Sequence, residues 1–348
     1  MKRKLLLVAA VAIGTAYSAH AQVINFGEMV KAQQSDAELL LKEFMNPYMK
    51  AFSAGLGSGW YNTGKTHSIG RPDFTFTVSP VFIPGSDKTF DLHNLALQSV
   101  SYDPAKSITP TVAGSTDAVT PQLDVLATNP SNGQKVKVSS FKMPHGTGLG
   151  VLPVPTAQLG IGLPFSTDLI FRFIPTTTYQ DASIGLIGVG FKHDIKQWIP
   201  GLSALPFDWS FLFGYTNFKA AYKLNVPSST GQTYDNQELQ LNVNSYSFST
   251  IFSKKLPVIT FYGALGYDVA TTALKLNGTY PVARATDSNG NSVEANLTDP
   301  VNLSVNTSNG AKATAGFRLK LAVFTVHADY TFAKYPIASA GLGLSLGN

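Results

Sequence analysis

The chain has 348 residues, of which 14% are charged and 11% aromatic, against roughly 25% charged in ordinary soluble domains. It contains no cysteine, which excludes disulfides, thiolate metal centres and the lipid-bearing cysteine of an exported lipoprotein. Three of its 26 Lys and Arg (Lys2, Arg3, Lys4) lie in the first four residues, and the others nearly balance the 21 Asp and Glu. The sequence pI of about 9.1 therefore gives no warrant for a nucleic-acid partner.

Residues 1–21 predict a secretory signal peptide: a basic start, an apolar run from Leu5 to Thr15 too short to span a bilayer, and the small-x-small site Ala19-His20-Ala21. No later apolar run reaches the length of a spanning helix. Low charge without such a helix leaves a closed β-barrel as the way to satisfy backbone groups in lipid.

Residues 22–53 are different in kind. Ser35-Asp36-Ala37-Glu38 reads as a capping box, and Ala37, Leu40, Leu41, Phe44, Met45, Tyr48 and Phe52 follow a helical period. The pattern predicts a short amphipathic helix that Pro47 kinks or ends. It either plugs the barrel from the periplasmic side or lies on the barrel end.

Residues 54–348 predict the barrel. Ala54 to Asn62 reads as a first, glycine-rich strand, and Phe74, Phe76, Val78, Pro80 and Phe82 mark the next. A less regular segment covers 90–100, and 101–133 reads as a long external loop. Further strands are predicted at 136–142, 158–165, 169–174 and 184–191. Arg172 must point inward, because a cation facing lipid at mid-depth costs roughly 2–4 kcal/mol. Residues 192–206 form a structured turn. The clearest strand follows, with Phe207, Trp209, Phe211, Phe213 and Tyr215 on one face and Asp208, Ser210, Leu212, Gly214 and Thr216 on the other. Strand signals continue at 219–226, at 239–252 with a change of parity near Ser245, at 259–269 and at 271–280. A second polar loop covers 282–300, and strands at 317–321, 324–332 and 342–346 close the chain. The expectation is an all-β, antiparallel transmembrane barrel of about 14 strands (12–16), an even number being usual.

On this reading Arg172, Arg318, Lys320, His327 and Asp329 line the lumen, as a patch that guides a solute or as ion pairs that brace the wall. Trp198, Trp209, Tyr215, Tyr267 and Tyr330 are candidate anchors at the membrane interfaces. No cofactor is called for, and the six histidines show no metal-ligand spacing.

Three motif matches fail in context. Gly59 to Thr66 satisfies the P-loop pattern, but bulky Trp60 and Tyr61 occupy the loop and Ser68-Ile69-Gly70-Arg71-Pro72 breaks the helix that must follow. Gly343 to Gly347 fits a nucleophile elbow with no residues left for its helix or histidine. Asp287 to Asn291 starts like a calcium loop, yet Ser292 and Thr298 stand where the turn glycine and the bidentate glutamate belong.

The stretches Gly57-Ser58-Gly59-Trp60-Tyr61-Asn62-Thr63, Lys192 to Gly201 with Leu205-Pro206-Phe207-Asp208, and Ala340 to Ser345 resemble an uncharacterised family of exported Gram-negative proteins. That resemblance implies an outer-membrane barrel and no particular activity. In architecture, a helical segment before a barrel is similar to the long-chain fatty-acid transporters, although the early Asn-Pro-Ala segment and an aromatic last residue are missing. The expected function is therefore a non-enzymatic passive channel or transporter, for a hydrophobic or amphipathic solute, in contact with outer-membrane lipid. The alternative is a structural or interaction barrel with a filled lumen and partner-binding external loops. A barrel hydrolase would need a serine within reach of a histidine, with His327 as the candidate.

Overall fold

The structure, a computed structural model, describes residues 29–30, 32–128, 132–226, 228, 232–234, 236–286 and 292–346. The signal-peptide segment 1–21 and the calcium-like stretch 287–291 lie outside the described residues. Ten strands form the wall: β1 (Pro72–Phe82), β2 (Val151–Leu163), β3 (Thr167–Tyr179), β4 (Ala182–Asp194), β5 (Asp208–Lys223), β6 (Glu238–Lys255), β7 (Ile259–Asn277), β8 (Gly310–Leu321), β9 (Phe324–Phe332) and β10 (Ile337–Ser345). Each pairs antiparallel with its neighbours in sequence, and β10 closes on β1. The result is an up-and-down barrel without an open edge.

The expected 14 strands are thus ten. Predicted strands run together into single long ones: β5 takes in 208–216 and most of 219–226, β6 runs through the parity change at Ser245, and β7 absorbs 259–269 and most of 271–280. Ala54 to Asn62 is not a strand at all but the end of the helix and the coil after it. The segment near 136–142 is a strand outside the wall.

Sequence parity sets what each face meets. On β5, Ser210, Leu212 and Thr216 are fully buried while Phe211 is exposed. All ten strands carry large apolar side chains exposed on the outer surface, among them Phe74, Leu159, Phe171, Ile187, Leu265, Phe317, Phe332 and Leu342. An apolar face running around the whole wall far exceeds the few hundred Å² that soluble monomers expose.

The two barrel ends differ. At one, β2–β3, β6–β7 and β8–β9 are joined by short turns. At the other, residues 83–150 and 278–309 fold into a cap. There 101–133, expected to be loop, contributes to short sheets: Val100–Tyr102, Gln122–Thr128 and Lys135–Lys142 pair in that order, and Thr89–Asp91 pairs with Ile108–Pro110. The region 282–300 forms a hairpin, Thr279–Thr286 with Ser292–Thr298, followed by Val301–Asn306 against the upper part of β7.

A long helix, Gln34–Leu56, starts under the cap and descends into the barrel. Pro47 lies inside it rather than ending it, and at that turn the Phe44 carbonyl accepts a hydrogen bond from the cap at Val112 N, 2.9 Å. The expected capping box does not form: the N-cap is Gln33, without a side-chain bond. Asp36 instead accepts from Ser99 N (2.7 Å), Ser99 Oγ (2.8 Å) and Gln98 N (3.0 Å) and so ties helix to cap. Leu40, Leu41 and Phe44 pack with Leu92, Leu123, Val125 and Phe141 of the cap. Lower down, small Ala51 and Ala54 fit the narrow lumen beside Val81, Val154, Leu186 and Val243. Each fully buried Leu or Phe contributes roughly 1.5–3 kcal/mol.

Candidate functional site

The lumen is where the chain concentrates its buried charge. The helix ends at Leu56 with carbonyls that have no intrahelical partner and that carry the negative end of its dipole. Its last turn has no basic residue, so the wall supplies the cations. Arg172 of β3 donates from Nη1 to Leu56 O (2.8 Å), from Nη2 to Ser58 O (2.7 Å) and from Nε to Gln158 Oε1 (3.2 Å). Lys312 of β8 donates to Gly57 O (2.8 Å) and Ser247 Oγ (2.9 Å). Its Nζ also pairs with Asp268 Oδ1 at 2.7 Å. Gly57 is required here, because a Cβ would sit 2.7 Å from Asp268.

Below this clamp the coil 57–66 turns aromatic. Trp60 lies 3.5 Å under the Arg172 guanidinium and against the cross-strand pair Gly190 and Gly214, where a Cβ would come within 2.7 and 2.5 Å of the indole. Those glycines are a hollow shaped for the ring.

Near the short-turn end Lys192 of β4 donates to Lys65 O (2.8 Å) and pairs with Asp168 (3.0 Å). Asp168 accepts from His67 N (2.7 Å) and faces His67 Nδ1 (2.9 Å). On the far side His67 Nε2 is 3.5 Å from Asp73, which Arg318 reaches at 3.3 Å. Burial disfavours the imidazolium, but Asp168 and Asp73 outweigh it, against Lys192, and hold the His67 pKa above its ordinary value. Three buried wall cations, Arg172, Lys312 and Lys192, thus grip main-chain carbonyls from Leu56 to Lys65.

The five residues predicted to line the lumen do not form one patch. Arg172 belongs to the helix clamp. Arg318 and His327 are cross-strand partners; His327 Nε2 is 3.3 Å from Thr77 Oγ1, and no serine appears among its described hydrogen-bond partners. Asp329 accepts from Tyr262 Oη at 2.8 Å. Lys320 is half-buried at the short-turn mouth. Of the predicted anchors, Trp198 sits in the 195–207 connection, 66% exposed, and Trp209 stacks on Phe252 at the same end. Tyr215 lies further up the wall beside Tyr246, while Tyr267 and Tyr330 are exposed on the outer surface.

A family model described as a family of unknown function, DUF6588, matches residues 1–346. The chain belongs to that family. No curated protein matches it. Among solved structures it is similar to three bacterial proteins. The attachment invasion locus protein Ail of Yersinia pestis has TM-score 0.24 and 8% identity, covering 80% of this chain and 98% of that one. The toluene transporter TodX of Pseudomonas putida has TM-score 0.26 and 8% identity, covering 88% and 71%. The transport unit of the Escherichia coli autotransporter AIDA-I has TM-score 0.27 and 11% identity, covering 90% and 98%. At these scores the likeness adds nothing to what the strand pairing of this DUF6588 member already establishes.

Sequence reasoning missed Asp73, Asp168, Lys192, Asp268 and Lys312. Parity offered a signal for all five: Asp73, Asp168, Lys192 and Asp268 lie on the face opposite the outward Phe74, Phe171, Phe191 and Tyr267, and Lys312 shares the inward parity of Arg318 on β8. His67 and the carbonyl clamp left none, since both depend on a coil threading the lumen. The P-loop match, Gly59 to Thr66, is that coil and has no strand before it. Ser345, the elbow match, ends β10 as a buried residue opposite Asp73.

Proposed function

We propose that this chain is an outer-membrane β-barrel that stays closed: the segment 34–66 is a permanent core of the barrel, and the cap built from 83–150 and 278–309 is its working face toward the outside. The observation that carries this reading is the grip of Arg172, Lys312 and Lys192 on the carbonyls of residues 56–65. A plug meant to leave would be expected to meet the wall through few directional bonds. This one supplies main-chain acceptors to three buried cations, and withdrawing it would leave Arg172 with Gln158, Lys312 with Ser247 and Asp268, and Lys192 with Asp168, each short of the carbonyls it now serves. The membrane setting is supported by the apolar outer wall and the charged, polar interior. In such barrels short turns face the periplasm and long connections the exterior, which puts the cap outside.

Passage of a hydrophobic or amphipathic solute, the channel reading of the sequence, requires segment 34–66 to move. Expressed with its leader, the protein should be recovered in the outer-membrane fraction and shift its gel mobility only on boiling. Purified into planar bilayers, it should show no steady conductance. Soluble periplasmic recovery would overturn the membrane reading, and a stable open level in the intact protein would overturn the closed one.

A further inference from the structure

We propose that the wall between β2 and β3 admits one acyl chain of an outer-leaflet lipid, which lies against the lumen helix; this rests on the membrane reading. Both strands are 13 residues long. They pair with each other only from Leu163 with Thr167 up to Gln158 with Arg172. Toward the cap the ladder between them stops, while β2 stays paired with β1 to Val151 and β3 with β4 to Tyr179. One seam of the wall is therefore unpaired over its upper half.

Prolines account for the break. Gly162 O accepts from Gly70 N on the β1 side at 2.8 Å, so by strand alternation the odd residues of β2 turn their backbone groups toward β3. Pro153 and Pro155 are among them. Extending the register of Leu159 with Phe171 sets Pro155 opposite Pro175, and neither member of that pair has an N–H to donate. β3 also shifts its register against β4 between Ile174 and Thr177, and Thr177 Oγ1 donates to Pro175 O at 2.9 Å. An added strand would find no donors at these prolines. An apolar chain needs none.

The lining suits such a chain. Among the inward residues of the two strands, Val154, Ile170 and Arg172 are at most 5% exposed, whereas Leu152 and Ile174, which flank the unpaired seam, are only half-buried. The helix runs behind them. It meets β2 at Gly55, where a Cβ would stand 2.4 Å from Val154, and Tyr48 Oη donates to Leu149 O just before β2. Tyr48 and Phe52, one helical turn apart, are half-buried and pack on the same cluster as Leu152 and Ile174. Outside, the exposed Phe173 continues into the apolar wall at Leu159 and Phe171. At the cap end of β2, Lys88 Nζ lies 2.9 Å from where a Cβ on Gly150 would be, a place suited to the phosphate of the lipid head group. Entry of the chain needs no movement of segment 34–66.

The test reconstitutes the full mature chain in liposomes that carry a phosphatidylglycerol with a diazirine near the end of one acyl chain. Photolysis, digestion and mass spectrometry then locate the adducts. We expect adducts on Tyr48 or Phe52 inside the barrel, besides those on the outer wall at residues such as Leu265 and Leu342. Pro155→Val with Pro175→Val returns an N–H to each edge, and should cut the helix adducts about fivefold or more while those of the outer wall stay. Should that double variant lose its heat-dependent mobility, Ile174→Trp, which fills the seam, replaces it, with a loss of about threefold or more expected. Adducts confined to the outer wall, or helix labelling unchanged in a folded variant, overturn the site. Absence of the outer-wall adducts as well overturns the membrane reading and the site with it, so the two failures are told apart.

Discussion

At the scale of single residues, the lumen is held by polar contacts that tolerate little change. Lys312→Met removes the donor to Gly57 O and strands Asp268, and should destabilise the barrel by about 3–5 kcal/mol, the usual cost of breaking a buried pair. Adding Asp268→Leu should recover only part of this, because the helix carbonyl stays unserved; full recovery in denaturant titrations would mean that the clamp contributes nothing. Gly214→Val drives a side chain into the space of Trp60 and should cost at least as much as Trp60→Ala, about 3–5 kcal/mol. His67 gives a pH signature. Its folded pKa lies above the unfolded value of about 6.5, so its stabilisation is complete below that value and is lost as pH rises through the folded pKa. The temperature of the gel-mobility shift should therefore fall between pH 6 and 9 in the native chain, and His67→Gln should flatten that slope. Little of this was legible in the sequence. Arg172 could be turned inward from the cost of a cation in lipid, but its partners are carbonyls, which look alike in every sequence.

At the scale of elements, the helix links two bodies, its first half packed in the cap and its second in the lumen. Asp36→Ala leaves the amides of Gln98 and Ser99 without their acceptor, a loss of roughly 1–3 kcal/mol for each unsatisfied group. Hydrogen exchange within 83–128 should rise while the wall strands keep their protection; unchanged exchange in the cap would show that the helix does not hold it. The helix was legible from the period of Leu40, Leu41 and Phe44, although Pro47 and the glycines after Ala54 pointed to an earlier end. Packing overrode both: the first half of the helix is held in the core of the cap, and small residues are what a helix inside a ten-strand barrel needs. Wall strands such as β5 read clearly because their two faces meet different media. The strands of the cap did not, because a small sheet on a shared core has no such alternation.

At the scale of the whole molecule, the closed meander and apolar wall follow from alternation repeated along the chain. The number of strands does not, since an 18-residue strand such as β6 looks like two ordinary ones when its parity slips. Whether the N-terminal segment plugs the lumen, rests on it or completes it could be decided only from its contacts. Ser53 Oγ lies 2.7 Å from Thr307 Oγ1 of the 278–309 connection, and the chain has no cysteine, so Ser53→Cys with Thr307→Cys offers a clean lock. The decisive measurement is solute flux and conductance of that variant, oxidised and reduced, in the same bilayers. The closed-barrel account predicts both forms to be equally silent. Flux in the reduced form that oxidation abolishes would show that the segment moves, and would contradict it.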